Sequence, residues 1–385
     1  MEEKRKKKSS TPKAKLKKVT IGGFRSMSYD HPLELNFGER TILLGPNGAG
    51  KSNIIGFFKM LSYMMSRSFA AYVESQGGAN ALSYYGSKKT PLIQGALEFE
   101  VLNKKVPEES AYQFQLQYAV PDRLIVSEEK VSYHHQLNKN KPQEKTLDPE
   151  YKESALAMSD DPTCRVIYRM LSGCKAYQFN DSSTTGPLRQ TVPEQTVKYL
   201  QSEGNNLPSF LLLLRNQYPS SYRNIVDYVS DVVPHFTDFY LEPQGGYLSL
   251  QWKDDSATDY VFNAHQLSDG SIRFIALATL LLQPKELLPP VIIIDEPELG
   301  LHPYAIMQLA EMIRHASFHT QVIISTQSCD LADAFDLNEV AIIEKDGEDL
   351  YTTARNLSSQ EYAQWLEEYS LSELWKKNVL GGNPH

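Results

Sequence analysis

The chain has 385 residues, of which 41% are hydrophobic and 22% are charged, and its formal net charge is −8. This length suits one large α/β core with an insertion, and the lack of an apolar run of about 18–20 residues argues against an integral membrane protein. The three cysteines, Cys164, Cys174 and Cys329, form no paired pattern. We therefore expect a reducing, cytoplasmic setting without a disulfide framework or a structural metal.

The first 18 residues, MEEKRKKKSSTPKAKLKK, form a basic arm. It contains nine Lys/Arg and two Glu, a net charge of +7, which leaves −15 for residues 19–385. Because the arm has almost no apolar side chains and no apolar segment of a secretory signal, we predict that it is disordered. It could contact the phosphates of DNA or RNA, although a solvated tail is the commoner meaning of such a composition.

Hydrophobic periodicity predicts an α/β protein with a β-rich and a helical insertion. A strand (RTILL) leads into a Gly-rich loop and then into a helical run, NIIGFFKMLSYMM. Three runs in which apolar and polar residues alternate then predict an antiparallel meander. In residues 196–236 the apolar positions recur every three or four residues, which predicts helices. No repeats or sustained heptads are present, so a long coiled-coil arm is not expected.

These patterns divide the chain into six predicted segments. They are a disordered basic arm (1–18), the N-terminal part of the α/β core with the Gly-rich loop (19–102), an antiparallel β insertion with loops (103–195), a helical lobe (196–246), the C-terminal part of the core (247–355) and a helical tail (356–385).

GPNGAGKS, residues 45–52, matches the phosphate-binding loop G-x-x-x-x-G-K-[ST] between a strand and a helix. Its glycines allow backbone N–H groups to face phosphate, Lys51 would reach the β- and γ-phosphates, and Ser52 would offer a hydroxyl to Mg²⁺. ATP-binding residues are thus expected at Asn47, Gly48, Ala49, Gly50, Lys51 and Ser52.

A second motif, the acidic segment VIIIDEPE, narrows the class of P-loop protein. Four aliphatic residues deliver Asp295 and Glu296 to the C-terminal end of a buried strand, where open parallel sheets bind ligands. Asp295 is expected to hold Mg²⁺, directly or through water, and Glu296 to polarise the attacking water. We interpret Glu296 as the catalytic carboxylate.

QLSDGSIRF, residues 266–274, places Ser268, Asp269 and Gly270 at the capped start of an apolar helix. Together with the P-loop and DEPELGLHP, it resembles the signature motif of ABC-type ATPases, whose common form is LSGGQ. Asp269 stands where the first signature glycine is usual, and Ser271 stands where the glutamine is usual.

Nearly the whole chain resembles the RecF/SMC-like branch of ABC ATPases, in particular bacterial AAA-type ATPases related to antiphage-defence and OLD-type ATPases. The supporting stretches are IGGFRSM, YQFNDSS, GNNLPSFL, QLSDGSIRF, IIIDEPELGLHP, STQS and EYSLSELWKKNVLGGNP. The resemblance implies an α/β P-loop NTPase of the ABC-ATPase head type. Its mixed central sheet would carry an antiparallel β-meander and a helical lobe between the P-loop and the signature motif.

The resemblance also implies a mechanism that needs two heads. ATP would lie between the P-loop of one subunit and Ser268, Asp269 and Gly270 of the other. ELGLHP, with Gly300 and His302, would be the D-loop that makes contacts across the dimer.

Two further nucleotide contacts are implied by the family pattern. Arg25, in FRS, is expected to approach the nucleotide. A Q-loop glutamine is also expected, and Gln178, Gln190 and Gln195 all remain candidates by position.

The end of QVIISTQS is where this chain departs from most ABC heads, which place a histidine after the strand. Here the residue is Gln327. An amide can donate to phosphate and accept from water, but it does not titrate near neutral pH. We therefore predict that Glu296 carries the base character and that turnover is slow.

The sequence leaves three hypotheses for the biological role of the ATPase. No metal-protease, serine-hydrolase or cysteine-nucleophile signature is present, and the roughly 50 residues after the ATPase motifs are too few for the nuclease domain of OLD relatives. The leading hypothesis is an ATP-driven homodimeric or larger switch that controls a separate nuclease or toxin in antiphage defence. The alternatives are a RecF-like DNA-repair ATPase and an ATP-binding scaffold with little turnover.

Overall fold

The computed structural model describes residues 13–103, 106–135, 142–148, 153–194, 197–257, 259–347 and 350–381. Within these ranges the longest helices have 15 residues, and none is long and apolar enough to cross a bilayer. The basic arm before Lys13 lies outside the described residues.

Strands occur throughout the described residues, both in consecutive runs and singly between helices. They are β1 (Lys13–Gly22), β2 (Leu33–Asn36), β3 (Arg40–Leu44), β4 (Leu92–Asn103), β5 (Val106–Ala119), β6 (Arg123–His135), β7 (Gln143–Leu147), β8 (Cys174–Tyr177), β9 (Val192–Pro193), β10 (Phe236–Tyr240), β11 (Tyr247–Leu248), β12 (Gln251–Asp254), β13 (Val261–Asn263), β14 (Val291–Asp295), β15 (Gln321–Thr326), β16 (Val340–Lys345) and β17 (Thr352–Asn356).

The α-helices of the described residues range in length from 4 to 15 residues. They are α1 (Lys51–Met65), α2 (Phe69–Ser75), α3 (Ala79–Leu82), α4 (Pro162–Ser172), α5 (Leu207–Gln217), α6 (Pro219–Val232), α7 (Asp269–Leu281), α8 (Pro303–Ser317), α9 (Cys329–Ala332), α10 (Ala363–Leu366) and α11 (Leu371–Lys376). The chain forms two compact units, Met1–Pro32 with Tyr63–Ser172 and Leu33–Ser62 with Gly173–His385.

The first unit contains the antiparallel meander. Strands β1, β4, β5, β6 and β7 lie in that order, and each neighbouring pair is antiparallel. Alternate residues point into its core, which is the period-two pattern of a sheet with one buried face. The meander predicted between the P-loop and the signature motif is confirmed.

The structure differs from the predicted end of the basic arm, because β1 begins at Lys13. A register shift between Leu16 and Lys18 puts Leu16 and Val19 on the buried face, while the Lys17 ammonium pairs with Glu100 at 3.4 Å. Pairing with β4 supplies the backbone hydrogen bonds that composition alone could not reveal. Residues 13–18 are therefore part of the sheet, while the other predicted segment boundaries stay predictions.

The second unit is built on a mixed sheet in the order β17, β16, β3, β15, β14, β8. The strands from β16 to β8 are parallel to their neighbours, and β17 is antiparallel to β16. Strands β14 and β15 are buried along their whole length, as expected for near-continuous apolar strands covered on both faces. The sheet brings the ends of β3, β15 and β14 to one edge.

Helices α5, α6 and α7 share the apolar core of the second unit. Every residue of α7 from Phe274 to Leu281 is buried, so this helix cannot shift without disrupting the core. The predicted helical lobe is present as α5 and α6. Burial of α7 fixes the signature motif, which lies at its N-terminus.

Candidate functional site

The P-loop joins β3 to α1 and has the backbone expected for a phosphate cradle. Gly48 and Gly50 have φ values of 78° and 111°, conformations that favour glycine. Asn47, Gly48 and Ser52 are exposed, whereas Ala49 and Gly50 are buried. The hydroxyl of Thr352 donates to the Ala49 carbonyl at 2.8 Å and so supports the loop from β17.

Lys51 is only 4% exposed, and its ammonium group is turned onto its own loop. The Nζ atom donates to the carbonyls of Gly45 at 2.6 Å and Pro46 at 3.0 Å, which uses two of its three donor hydrogens. Burial lowers the Lys51 pKa from its ordinary value, and three carboxylates act in the opposite direction: Glu296, Asp295 and Glu298. The P-loop lysine and the acidic motif therefore belong to one electrostatic site.

Hydrogen bonds connect the ends of the three central strands. The Gly45 N–H donates to the Thr326 carbonyl at 3.4 Å, and the Ser325 hydroxyl donates to the Asp295 carboxylate. The Glu296 N–H donates to the Ser325 carbonyl at 2.9 Å. Strand β15 thus lies between the P-loop and the acidic motif and is bonded to both.

Asp295 and Glu296 differ in surroundings although they are adjacent. Asp295 is 7% exposed and is held by Ser325, whereas Glu296 is half-buried and has a φ of 45°. A positive φ is unfavourable for a non-glycine residue and tends to occur where a functional side chain must be aimed. Asp295 is therefore fixed by a side-chain hydrogen bond within the sheet, whereas Glu296 lies on a strained turn and its charge acts on Lys51.

Glu298 belongs to the site although no sequence motif marks it as a member. Its Oε1 atom accepts the Thr326 hydroxyl at 2.5 Å, while its Oε2 atom is removed from solvent and has no hydrogen-bond partner. Burial raises the Glu298 pKa above its ordinary value, against the bonds from the Thr326 hydroxyl and the Gln327 backbone, which lower it. Glu298 is therefore a buried carboxyl group that ties the acidic motif to the segment carrying Gln327.

Glu298→Gln should change how stability depends on pH. Because the folded pKa of Glu298 is raised above 4.5, folded protein holds a proton that unfolded protein releases between the two values. This contribution to stability is lost as pH rises through that window. The free energy of unfolding of the variant, minus that of the wild type, should therefore increase across the window and then level off.

Urea denaturation at a series of pH values measures this difference. Glu286→Gln, at an exposed position, is the control for loss of a carboxylate. Parallel pH profiles for the wild type and Glu298→Gln would contradict a buried, proton-binding Glu298.

Gln327 directly follows β15, beyond the strand end that bonds the P-loop and the acidic motif, and it is exposed. Its neighbours have defined local roles. The buried Thr326 hydroxyl also accepts the Ser328 N–H at 2.8 Å, and the Ser328 hydroxyl caps α9 by accepting the Leu331 N–H at 3.2 Å. Thr326 does more than end the strand, because it fixes the turn on which Gln327 sits.

The signature motif lies at the N-terminus of α7, as expected. Ser268 is the N-cap, and its hydroxyl accepts the Ser271 N–H at 3.0 Å, while Asp269 is exposed at the first helical position. A Cβ atom on Gly270 would lie 2.3 Å from the Gly300 carbonyl oxygen. The start of the signature helix is therefore in close contact with the D-loop of the same chain.

The D-loop has the backbone of a tight turn before α8. Gly300 has a φ of 76°, and His302 is the N-cap of α8, where its Nδ1 accepts the Tyr304 N–H at 3.4 Å. Arg273 of α7 donates to the Leu299 carbonyl at 2.9 Å. Both Gly300 and His302 are exposed, as contacts to another subunit would require.

Among the three candidate Q-loop glutamines, Gln178 directly follows β8, whose Tyr177 pairs with Ile294 of β14. Its Oε1 accepts the Lys59 ammonium of α1 at 3.0 Å. Gln190 instead donates to the Thr185 carbonyl at 3.1 Å, and Gln195 lies outside the described residues. Strand register thus places Gln178 at the same sheet edge as the acidic motif.

Arg25 belongs to the first unit, whereas the P-loop belongs to the second. Its φ is 50°, and its Nη2 donates to the Gln76 side-chain oxygen at 2.6 Å. Its predicted contact with nucleotide stays a prediction.

The mixed sheet, the P-loop between β3 and α1 and the acidic end of β14 form a P-loop fold of the type found in ABC-ATPase heads. Residues 192–333 match the family described as "AAA domain, putative AbiEii toxin, Type IV TA system". No curated protein matches the sequence.

Solved structures of SMC head domains share the fold. A SmcHead bound to the C-winged helix domain of ScpA is 16% identical with a TM-score of 0.57, covering 91% of this chain and 99% of that one. A Pyrococcus furiosus Smc head bound to the C-terminal domain of ScpA is 14% identical with a TM-score of 0.56, covering 92% and 99%. A Pyrococcus yayanosii Smc head is 11% identical with a TM-score of 0.52, with the same coverage.

These identities establish the fold alone. The match over residues 192–333 and the shared fold confirm the resemblance to SMC/RecF-like ATPases of the ABC class that the sequence predicts.

Proposed function

We propose that this protein binds ATP with Mg²⁺ at the P-loop, pairs head-to-head with a second copy and hydrolyses the nucleotide as a switch. The observation that carries the proposal is the hydrogen-bonded arrangement of three strand ends. Gly45 bonds Thr326, Ser325 bonds Asp295, and Thr326 bonds Glu298. One strand thereby connects the phosphate cradle to the acidic motif, so the two can respond together to a bound nucleotide.

The donor set fits Mg²⁺. The exposed Ser52 hydroxyl and the Asp295 carboxylate are hard oxygen ligands of the kind this cation prefers. Three carboxyl groups and one ammonium group give the site a negative charge, which would repel a triphosphate in the absence of a divalent cation. When bound, Mg²⁺ would neutralise charge on the phosphate oxygens, and Ser52 and Asp295 are the residues that would hold it.

Hydrolysis would proceed by attack of water on the γ-phosphorus, with ADP as the leaving group. Glu296 would orient the water and accept its proton, while Lys51 and the loop N–H groups would bind the phosphates. Gln178 is our assignment for the Q-loop residue, because it is the candidate placed by strand register at this sheet edge. Gln327 would donate to the γ-phosphate from the end of β15.

The second copy would supply Ser268, Asp269 and Gly270. The 13-residue helix α7 begins at these residues, so the partial positive charge of its N-terminus favours phosphate. The exposed D-loop residues Gly300 and His302 would contact the partner head.

We further propose that a separate effector, a nuclease or a toxin, is the partner controlled by this switch in antiphage defence. SMC heads similar to this chain bind ScpA, a separate protein, and the matching family description names a toxin of a Type IV toxin–antitoxin system. The −15 charge of residues 19–385 does not favour a broad DNA-binding groove.

Lys51→Met tests the nucleotide site directly. Loss of the charge-assisted bonds to phosphate should weaken ATP binding by about a hundredfold and abolish turnover. Titration with a fluorescent ATP analogue and a phosphate-release assay measure the two effects. Lys285→Met, an exposed lysine after α7, is the matched control and should behave as wild type. Equal affinity in all three proteins would contradict the proposed site.

Gln327→His tests why turnover is expected to be slow. A histidine at this position adds a titratable group beside the attacking water, so we expect faster hydrolysis, with the largest gain near the histidine pKa of about 6.5. Single-turnover rates between about pH 6 and pH 8 measure this effect. An unchanged rate at every pH would contradict the role given to Gln327.

A further inference from the structure

Arg189 contacts the signature motif although it lies about 80 residues away in sequence. Its side chain is only 6% exposed, and its guanidinium donates to four oxygen atoms. The Nε atom donates to the Ser182 carbonyl at 2.9 Å, and Nη1 donates to the Ala264 carbonyl. The remaining bonds, from Nη2, reach the signature motif.

Those two bonds reach the residues on either side of Ser268. Arg189 Nη2 donates to the Leu267 carbonyl at 3.1 Å and to the Asp269 carboxylate at 2.9 Å. Asp269 is 65% exposed, so only its inner oxygen is held by Arg189 while the rest of the carboxylate faces solvent. A single buried cation therefore fixes the backbone before the signature helix and pairs with its first acidic side chain.

A carboxylate at the first position of α7 competes for the helix N-terminus with any incoming phosphate. It also repels a triphosphate that approaches within about a Debye length, roughly 10 Å at ordinary ionic strength. An arginine bonded to that carboxylate removes the net negative charge. Bonds to neighbouring carbonyls would hold the guanidinium in place, because they restrict its rotamers.

We infer that Arg189 is a positioning residue that makes Asp269 compatible with binding the γ-phosphate of a partner's ATP. This inference rests on the proposed function, since it concerns how the signature motif accepts phosphate from a second head. Arg189 acts through Asp269 and the Leu267 carbonyl, and contacts no phosphate itself.

A double-mutant cycle of Arg189→Gln and Asp269→Asn tests this role. ATP-dependent pairing of heads is measured by sedimentation, and ATP binding to single heads by titration with a fluorescent ATP analogue. We expect R189Q to weaken pairing by about tenfold and to leave single-head ATP affinity within about twofold. The double variant should regain most of the lost pairing, because the uncompensated charge is gone.

A double variant as impaired as R189Q would overturn the inference, since it would mean that Arg189 only supports the carbonyls. D269N alone provides a second test that does not depend on the folding of R189Q. With Arg189 intact, it leaves an extra positive charge at the motif and should tighten pairing by about threefold or more. Unchanged or weaker pairing of D269N would also overturn the inference.

These outcomes are distinct from failure of the proposed function itself. Heads that carry Glu296→Gln and still do not pair in ATP would refute the two-head proposal. If wild-type heads pair in ATP but D269N does not restore the pairing lost in R189Q, only the role of Arg189 is refuted.

Discussion

Glu296→Gln should reduce the rate of ATP hydrolysis by about 10² to 10⁴, the usual contribution of a positioned general base. The amide can still hydrogen-bond the attacking water but cannot accept its proton. Nucleotide binding should persist, because the P-loop contacts come from Lys51 and the backbone between Asn47 and Ser52. The variant should therefore bind ATP nearly as tightly as the wild type while releasing phosphate far more slowly.

Single-turnover hydrolysis with saturating enzyme measures this effect without interference from product release. Glu286→Gln removes an exposed carboxylate from the same unit and should hydrolyse ATP at the wild-type rate. If Glu296→Gln hydrolysed ATP as fast as the wild type, the base would have to be another group. Equal, negligible rates in both proteins would favour an ATP-binding scaffold.

Gly270→Ala should lower both stability and turnover. The new methyl group would lie 2.3 Å from the Gly300 carbonyl oxygen, and α7 cannot retreat because its following turns are buried. Overpacking of this kind costs about 1–3 kcal/mol of folding free energy. Relief by movement of the D-loop would displace the elements that face a partner head, so turnover should fall by about tenfold or more.

Gly347→Ala is the matched control, since a Cβ atom at that exposed turn meets nothing within 4 Å. It should match or slightly exceed wild-type stability by reducing the entropy of the unfolded chain. Urea denaturation and a phosphate-release assay report the two effects. Wild-type stability and turnover of Gly270→Ala would show that the contact between signature helix and D-loop is easily relieved.

The sequence was sufficient to predict the elements whose signal is local. The P-loop and the acidic strand carry motifs with fixed spacing, and the meander carries period-two alternation, so their positions agree with the structure. The boundary of the basic arm was placed too late because the burial of Leu16 depends on pairing with β4. Composition counts charges and cannot report a distant partner strand.

Other site residues could not be predicted because their roles come from tertiary contacts. Glu298 resembles any acidic residue in a turn until Thr326 is seen to donate to it. Arg189 gives no local signal at all, since its partner Asp269 is remote in sequence. A weak signal did exist for Thr326, because a fully buried polar residue at a strand end needs a hydrogen-bond partner.

The central claim is that ATP brings two heads together around the nucleotide site, and the most direct test is the mass of Glu296→Gln in solution with and without ATP and Mg²⁺. Sedimentation equilibrium should give a monomer without nucleotide and twice that mass with ATP, because slow hydrolysis preserves the closed pair. Adding Lys51→Met to the same chain should abolish the shift in mass. A variant that binds ATP yet keeps the monomer mass at saturating nucleotide would contradict the account.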